Sequence, residues 1–176
     1  SFTYTVVGPG GLTTTGTAVI TISDMIWFIN ASAPGGGNGT LTNPFNCYTG
    51  AGCFSAVAVD DPGDNIFLFN GSYTGGDTLL NNQRLIGQGA SESILAITGI
   101  TLAPNSSALP ATALSPASVT ISTSVAAVNV INLGQENTLR GFTVRDDGAG
   151  AAEIVGNTIG ARTVGIGNAS AFRADV

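Results

Sequence analysis

The chain contains no histidine and no lysine, and charged residues make up only 9% of it, where an ordinary soluble domain has about 25%. Each absence removes a class of chemistry. Without histidine there is no Ser-His or Cys-His nucleophile and no His-ligated zinc. Without lysine there is no Schiff-base chemistry. The basic residues are five scattered arginines, Arg84, Arg140, Arg145, Arg162 and Arg173, and the net charge is −6. A nucleic acid needs a concentrated basic surface, so DNA and RNA are excluded as partners. No uninterrupted apolar run reaches the roughly 20 residues of a membrane-crossing helix. The longest compact one is Met25-Ile26-Trp27-Phe28-Ile29, so no membrane insertion of this segment is expected.

What the chain does have is 176 residues, 43% of them apolar, with 25 Gly, 21 Thr and 14 Asn. That is one domain's worth of polypeptide, long enough to bury a core. A mean hydropathy of +0.34 argues against disorder. The chain opens Ser1-Phe2-Thr3 with neither an initiator Met nor a signal region, the pattern expected of a mature product or a piece of something longer. Its two cysteines, Cys47 and Cys53, flank a loop containing Gly50 and Gly52 that can fold back on itself. A local disulfide between Cys47 and Cys53 is therefore expected, against the plainer reading of two half-buried thiols. The neutral, Thr/Asn/Gly-rich composition suits an oxidising, extracellular setting.

Phe2-Thr3-Tyr4-Thr5-Val6 alternates, Gly8-Pro9-Gly10-Gly11 interrupts, and Thr15 to Ile22 alternates again: a β-hairpin. Two strands alone are marginal in water, so the hairpin must lean on something else. It resembles the last two strands of a bacterial cadherin-like or immunoglobulin-like repeat. Further on, Gly37, Gly39-Thr40, Asn43-Pro44-Phe45, Pro62-Gly63-Asp64, Ile66, Gly71 and Tyr73 follow an order similar to the opening of right-handed parallel β-helix domains of the pectin-lyase-like superfamily. The resemblance covers roughly residues 25–89 and implies a helical cap in the Ala-rich segment from Phe54. The cysteine loop departs from the family pattern at that point, which implies a short or distorted cap. From the residues alone, Phe54 to Val59 reads as either helix or strand.

Short apolar snippets then recur between Gly, Asn and Asp turns, at Arg84 to Ile86, Ile94 to Ile97, Val119 to Ile121, Val128 to Ile131, Leu139 to Val144, Ile154-Val155 and Val164 to Ile166. Residues 137–144 align with 157–164 at an offset of 20, keeping Asn, Thr, an aliphatic, Thr and Val in register. Such a period suggests stacked strands. Residues 102–118, with Pro104, Pro110 and Pro116, read as a long loop. The expected fold is thus all-β: a right-handed parallel β-helix (β-solenoid) over residues 24–176, with an N-terminal cap and the Pro-rich loop at 102–118, preceded by a hairpin remnant of an Ig-like repeat over residues 1–23. Ile66, Phe67, Phe69, Leu85, Ile97, Leu139 and Val144 are expected to form the inward-facing stack.

The carboxylates worth weighing are Asp60, Asp61 and Asp64, and Asp146-Asp147 beside Arg145. Glycoside chemistry needs paired carboxylates at defined separation, but both clusters sit in Gly-containing turns that favour Asp for backbone bonding alone. No catalytic, metal-binding or cofactor-binding residue is assigned, and no cofactor is expected. Tyr4, Tyr48, Tyr73 and Trp27 are candidates for carbohydrate stacking or, more simply, core residues. Asn-x-Ser/Thr sequons stand at Asn30, Asn38, Asn70, Asn105 and Asn168. The expected role is a structural or adhesive segment of an extracellular or cell-surface bacterial protein, not an enzyme. Its expected partners are other copies of itself, in oligomers or fibres built head to tail through uncapped β-surfaces, and surface glycans. The alternative is a polysaccharide-active or carbohydrate-binding domain. The Cys47–Cys53 expectation is checked directly: thiol titration of the unfolded, unreduced protein should find no free thiol. Reduction should cost about 2 to 3 kcal/mol at most, because the closed loop is short.

Overall fold

The computed structural model describes residues 1–19, 22–57, 59–115, 118–147, 154–156 and 165–167. The chain begins with β1 (Phe2–Val7), which pairs antiparallel with β2 (Thr13–Ala18) in the register Phe2↔Ala18 to Val7↔Thr13. The turn closes with the Gly8 amide donating to the Leu12 carbonyl at 2.7 Å. Tyr4 stands opposite Gly16, and its ring occupies the space a side chain there would need. The hairpin expected from the alternating pattern is present, and β1 is exposed along its whole length.

From β3 (Ile26–Ile29) onward every strand pairing is parallel among the described residues, apart from an isolated bridge between Thr40 and Asn43. One sheet runs β3, β4 (Asn65–Leu68), β7 (Arg84–Gly87), β10 (Thr138–Arg140) and β13 (Gly165–Gly167). A second contains β5 (Gly71–Thr74), β8 (Val119–Thr123) and β11 (Thr143–Asp146). A third contains β6 (Asp77–Thr78), β9 (Ile131–Leu133) and β12 (Ile154–Gly156). Among the described residues two short helices interrupt them, α1 (Phe54–Val57) and α2 (Ile94–Thr98).

The expected right-handed parallel β-helix is therefore corrected. Among the described residues the strands are divided among four separate small sheets of both pairing types, none of which closes on itself, and turns and coil fill much of the chain between them. No single period runs through it. In the first parallel sheet Ile26 pairs with Asn65, Asn65 with Arg84, Arg84 with Thr138 and Thr138 with Gly165, steps of 39, 19, 54 and 27 residues. The irregularity has a physical origin. Gly- and Pro-rich excursions between Asn30 and Asp64, and again between Gln88 and Ser118, carry the two helices and most of the turns. The second half of the 20-residue alignment, 157–164, lies outside the described residues, as do Pro116 and Ala117 of the 102–118 loop and the segment beyond Gly167.

Two further expectations change. Ile94 to Ile97 is not a strand snippet. Ser93 caps the first turn of α2 by accepting from the Ala96 amide at 3.2 Å, and Gly99, at φ 73°, ends the helix in the left-handed conformation a C-cap favours. Leu139 to Val144 is not one strand but two. Gly141, at φ 72°, turns the chain between β10 and β11, and a side chain there would collide with the Ala90 backbone.

Paired residues on parallel strands face the same side, so the register sorts the core into two clusters. Ile66, Leu85, Leu139, Tyr73, Ile121, Val144, Val130 and Ile131 form the larger one, with Phe45, Tyr48 and Phe54 at one end and Trp27 packed against it. Phe28, Phe67 and Ile86 point the opposite way, where Ile94 of α2 and Ala90 cover them. Hence β4 is buried at all four positions, which is why Ile66-Phe67-Leu68 reads as an unbroken apolar run instead of an alternating one. The expected inward stack is accordingly split. Ile66, Leu85, Leu139 and Val144 belong to the larger cluster, whereas Phe67, with half-buried Phe69 and Ile97, belongs to the smaller one. Phe67 meets Phe28 and Phe69 edge-on, with ring centroids 6.0 and 5.2 Å apart. Phe67→Ala should therefore cost about 3 to 5 kcal/mol in denaturant unfolding. A loss below about 1 kcal/mol would contradict a buried second face.

Candidate functional site

Three buried polar side chains precede successive strands of the five-stranded sheet: Asp64 before β4, Gln83 before β7 and Asn137 before β10. Because Asn65, Arg84 and Thr138 are paired in register, the three stand one above another. A buried polar group is costly unless bonded, and these are bonded across the chain, save Asn137 Oδ1, which has no hydrogen-bond partner among the described residues. Asp64 accepts from the Met25 amide at 2.9 Å, from Trp27 Nε1 at 2.8 Å and from the Asp61 amide at 3.0 Å. Gln83 Oε1 accepts from the Leu80 amide at 2.7 Å, while its Nε2 donates to Asp60 Oδ2 at 2.5 Å and to the Asp61 carbonyl at 3.3 Å. Asn137 Nδ2 donates to the carbonyls of Leu80, at 2.6 Å, and Gln83, at 3.2 Å. Asn65 adds bonds to the Met25 carbonyl and from Arg84 Nη1. Two of the three acids weighed as a catalytic cluster, Asp60 and Asp64, are thus engaged in this ladder, and Asp61 joins through its backbone.

At the end of the larger cluster the cysteine loop holds an aromatic group in place. Cys47 and Cys53 are joined by a disulfide, with the Phe54 amide donating to the Cys47 carbonyl at 3.2 Å and the Ser55 amide to the Tyr48 carbonyl at 3.0 Å. Tyr48 stacks on Phe54 at a centroid distance of 6.1 Å, and Phe54 also meets Phe45 and Trp27. The expected cap segment is therefore a helix, but one of only four residues.

A half-open cavity of about 220 Å³ lies beside this group, lined by Phe54, Ser55, Asp60, Asp77, Thr78 and Leu80. Asp77 stands opposite Ile131 in the third sheet, on the face that elsewhere points into the core. Burial lifts its carboxyl above the ordinary carboxylate value, and negative Asp60 adds to this, while the neighbouring Tyr48 phenol and Thr78 amide oppose it. Burial, with Asp77 and Asp60 nearby, pushes the Tyr48 phenol well above its usual value. Two carboxylates and the Ser55 and Thr78 hydroxyls line it and could hydrogen-bond a small polar molecule, but Asp60 is already engaged by Gln83. Among the described residues, no group of three or more Cys, Asp or Glu side chains is placed to hold a metal ion.

The remaining candidates are dispersed. Arg145 pairs with Asp147 at 3.0 Å on the surface, and the side chain of Asp146 lies outside those described. Tyr73 is buried; its hydroxyl reaches the Phe69 carbonyl at 2.7 Å and accepts from the Ala31 amide, and burial raises its pKa to about 12. Trp27 and Tyr48 are likewise core groups, leaving Tyr4 the exposed member of the four stacking candidates. Among the sequons, Asn38, Asn70 and Asn105 are exposed, Asn30 is half-buried and Asn168 lies outside the described residues. Composition gave no signal for the partners of Gln83, Asn137 and Asp77. Their places follow from strand register, which a sequence with no constant period conceals.

Comparison of the chain with protein-family models, with curated proteins and with solved structures finds no match. What its own structure defines is a class: a disulfide-bearing, mainly β-structured scaffold. The disulfide points to an oxidising compartment. Among the described residues, no helix is long and apolar enough to cross a membrane.

Two outcomes check this site. Asp64→Ala strands three donors and should destabilise the chain by about 3 kcal/mol or more, with a red shift of the emission of Trp27, the single tryptophan. For Asp77 the sign is opposite. Its raised folded-state value means that ionisation is a cost to the folded chain, present at neutral pH and absent once folded and unfolded states are both protonated. Asp77→Asn should therefore raise the thermal midpoint at pH 7, and the gain should vanish toward pH 3.

Proposed function

We propose that the chain is a structural and adhesive segment of an extracellular or cell-surface protein, acting by rigidity and self-contact with no chemical turnover. The observation that carries this reading is the hairpin. Its β1 strand is exposed throughout, with Phe2, Tyr4 and Val6 sharing one face. A two-stranded sheet of this kind is marginal by itself and gains most by burying that face against something else. The rest of the chain supports the reading from the other side, since Asp60 and Asp64 hold backbone and side-chain partners in place and Arg145 and Asp147 form a surface pair. Resemblance to a cadherin-like repeat in the hairpin fits the same role, and the disulfide suits a secreted location. Sedimentation velocity and negative-stain microscopy of the purified chain test it. Concentration-dependent oligomers or fibres are expected, reduced by Val6→Asp; a monomer at all concentrations would count against self-contact.

The cavity beside Asp60 and Asp77 favours a second reading, a polysaccharide-active or carbohydrate-binding domain. Incubation with acidic polysaccharides, with and without Ca²⁺, decides between the two. No release of reducing or unsaturated ends is expected, and release abolished by Asp77→Ala would establish the second reading instead.

A further inference from the structure

Two surfaces stand open among the described residues, and they have matching character. One is the Phe2, Tyr4 and Val6 face of the hairpin, about half exposed at each residue (54, 49 and 50%). The other is an open apolar cavity of about 510 Å³ between α2 and the Pro-rich loop, walled by Ile94, Leu95, Leu102, Leu109 and Pro110. We propose that the hairpin face of one copy docks into the 93–112 groove of a second copy, so that self-association runs head to tail. This rests on the self-contact reading above and specifies its geometry.

The charge distribution fits a second copy as the occupant. Each copy carries a net charge of −6, so two copies repel wherever their acidic surfaces approach. Residues 1–23 contain no charged side chain, the first being Asp24, and the groove walls from Ser93 to Thr112 contain none either. Both surfaces are neutral as well as apolar, so their union buries apolar area without desolvating an ion. The side chains also suit each other. One surface is a strand face carrying large side chains at alternate positions, with Tyr4 set by its packing across Gly16. The other is concave and walled by aliphatic side chains. Donor and acceptor are different parts of one chain, so the contact is heterologous, and repetition gives a ring or an open filament.

The test uses two full-length variants, Tyr4→Asp to spoil the donor and Leu95→Asp to spoil the acceptor. Leu95 is 37% exposed on α2, so the change leaves the core intact, which circular dichroism confirms. Each variant alone should sediment as a monomer at concentrations where the unaltered chain associates. An equimolar mixture should double the mass to a dimer and go no further, because it contains one intact donor–acceptor pair. Association of Leu95→Asp alone at the unaltered level would overturn the groove, and the same result for Tyr4→Asp would overturn the hairpin face. Either leaves self-contact standing. Two monomeric variants that fail to pair when mixed would overturn the head-to-tail geometry. A monomeric unaltered chain would instead remove the underlying reading.

Discussion

The parallel part of the fold depends on keeping three strand starts in register, and buried hydrogen bonds from Asp64, Gln83 and Asn137 do this. Hydrophobic burial alone does not fix register: sliding a strand by two residues keeps the same face inward. A polar side chain sealed in the interior does fix it, because a slip leaves its donors or acceptors without partners, at about 1 to 3 kcal/mol each. Asp64 ties the start of β3 to the turn before β4, Gln83 ties the turn at Asp60-Asp61 to β7, and Asn137 ties Leu80 and Gln83 to β10. Each rung follows a long excursion or precedes a short strand, where apolar contacts alone hold register least.

Around that ladder the core is two-sided, and each side is closed by a local device. The disulfide holds Tyr48 and Phe54 against Trp27 and Phe45 at one end of the larger cluster. The Ser93 cap and the Gly99 stop make five residues into α2, which supplies the cover for Phe67 and Ile86. The expense of this compactness falls on Asp77, held at a position its neighbours fill with Ile131. The hairpin stands apart from all this, with β1 contributing no residue to either cluster.

Local features were legible in the sequence to the extent that they are encoded locally. The hairpin is written in period-two alternation, the cysteine loop in its two glycines, and the turn at Pro62-Gly63 in its composition. The strands at Ile66 and Leu85 are marked by apolar runs between turn residues. The architecture was not legible. Steps of 39, 19, 54 and 27 residues between stacked strands leave no period to count. Among the described residues, four separate sheets replaced the expected regular β-helix. A Ser three residues before Ala96 and a Gly after Thr98 specify a helix turn where an apolar snippet suggested a strand. Of the candidate site, the Asp60-Asp61-Asp64 group was visible as a turn, but its partners Trp27 and Gln83 were not. They are 37 and 23 residues away from the acids they bond.

Native-state hydrogen exchange followed by NMR at low protein concentration tests the account most directly, because it reads the ladder and the hairpin in one experiment. The amides of Met25 and Leu80, which donate to the side chains of Asp64 and Gln83, should exchange only with global unfolding, together with the amides of β4. The hairpin amides should exchange orders of magnitude faster and gain protection as the concentration is raised. Ladder amides that open locally while β4 stays closed would contradict the claim that the buried polar side chains hold the strands in register.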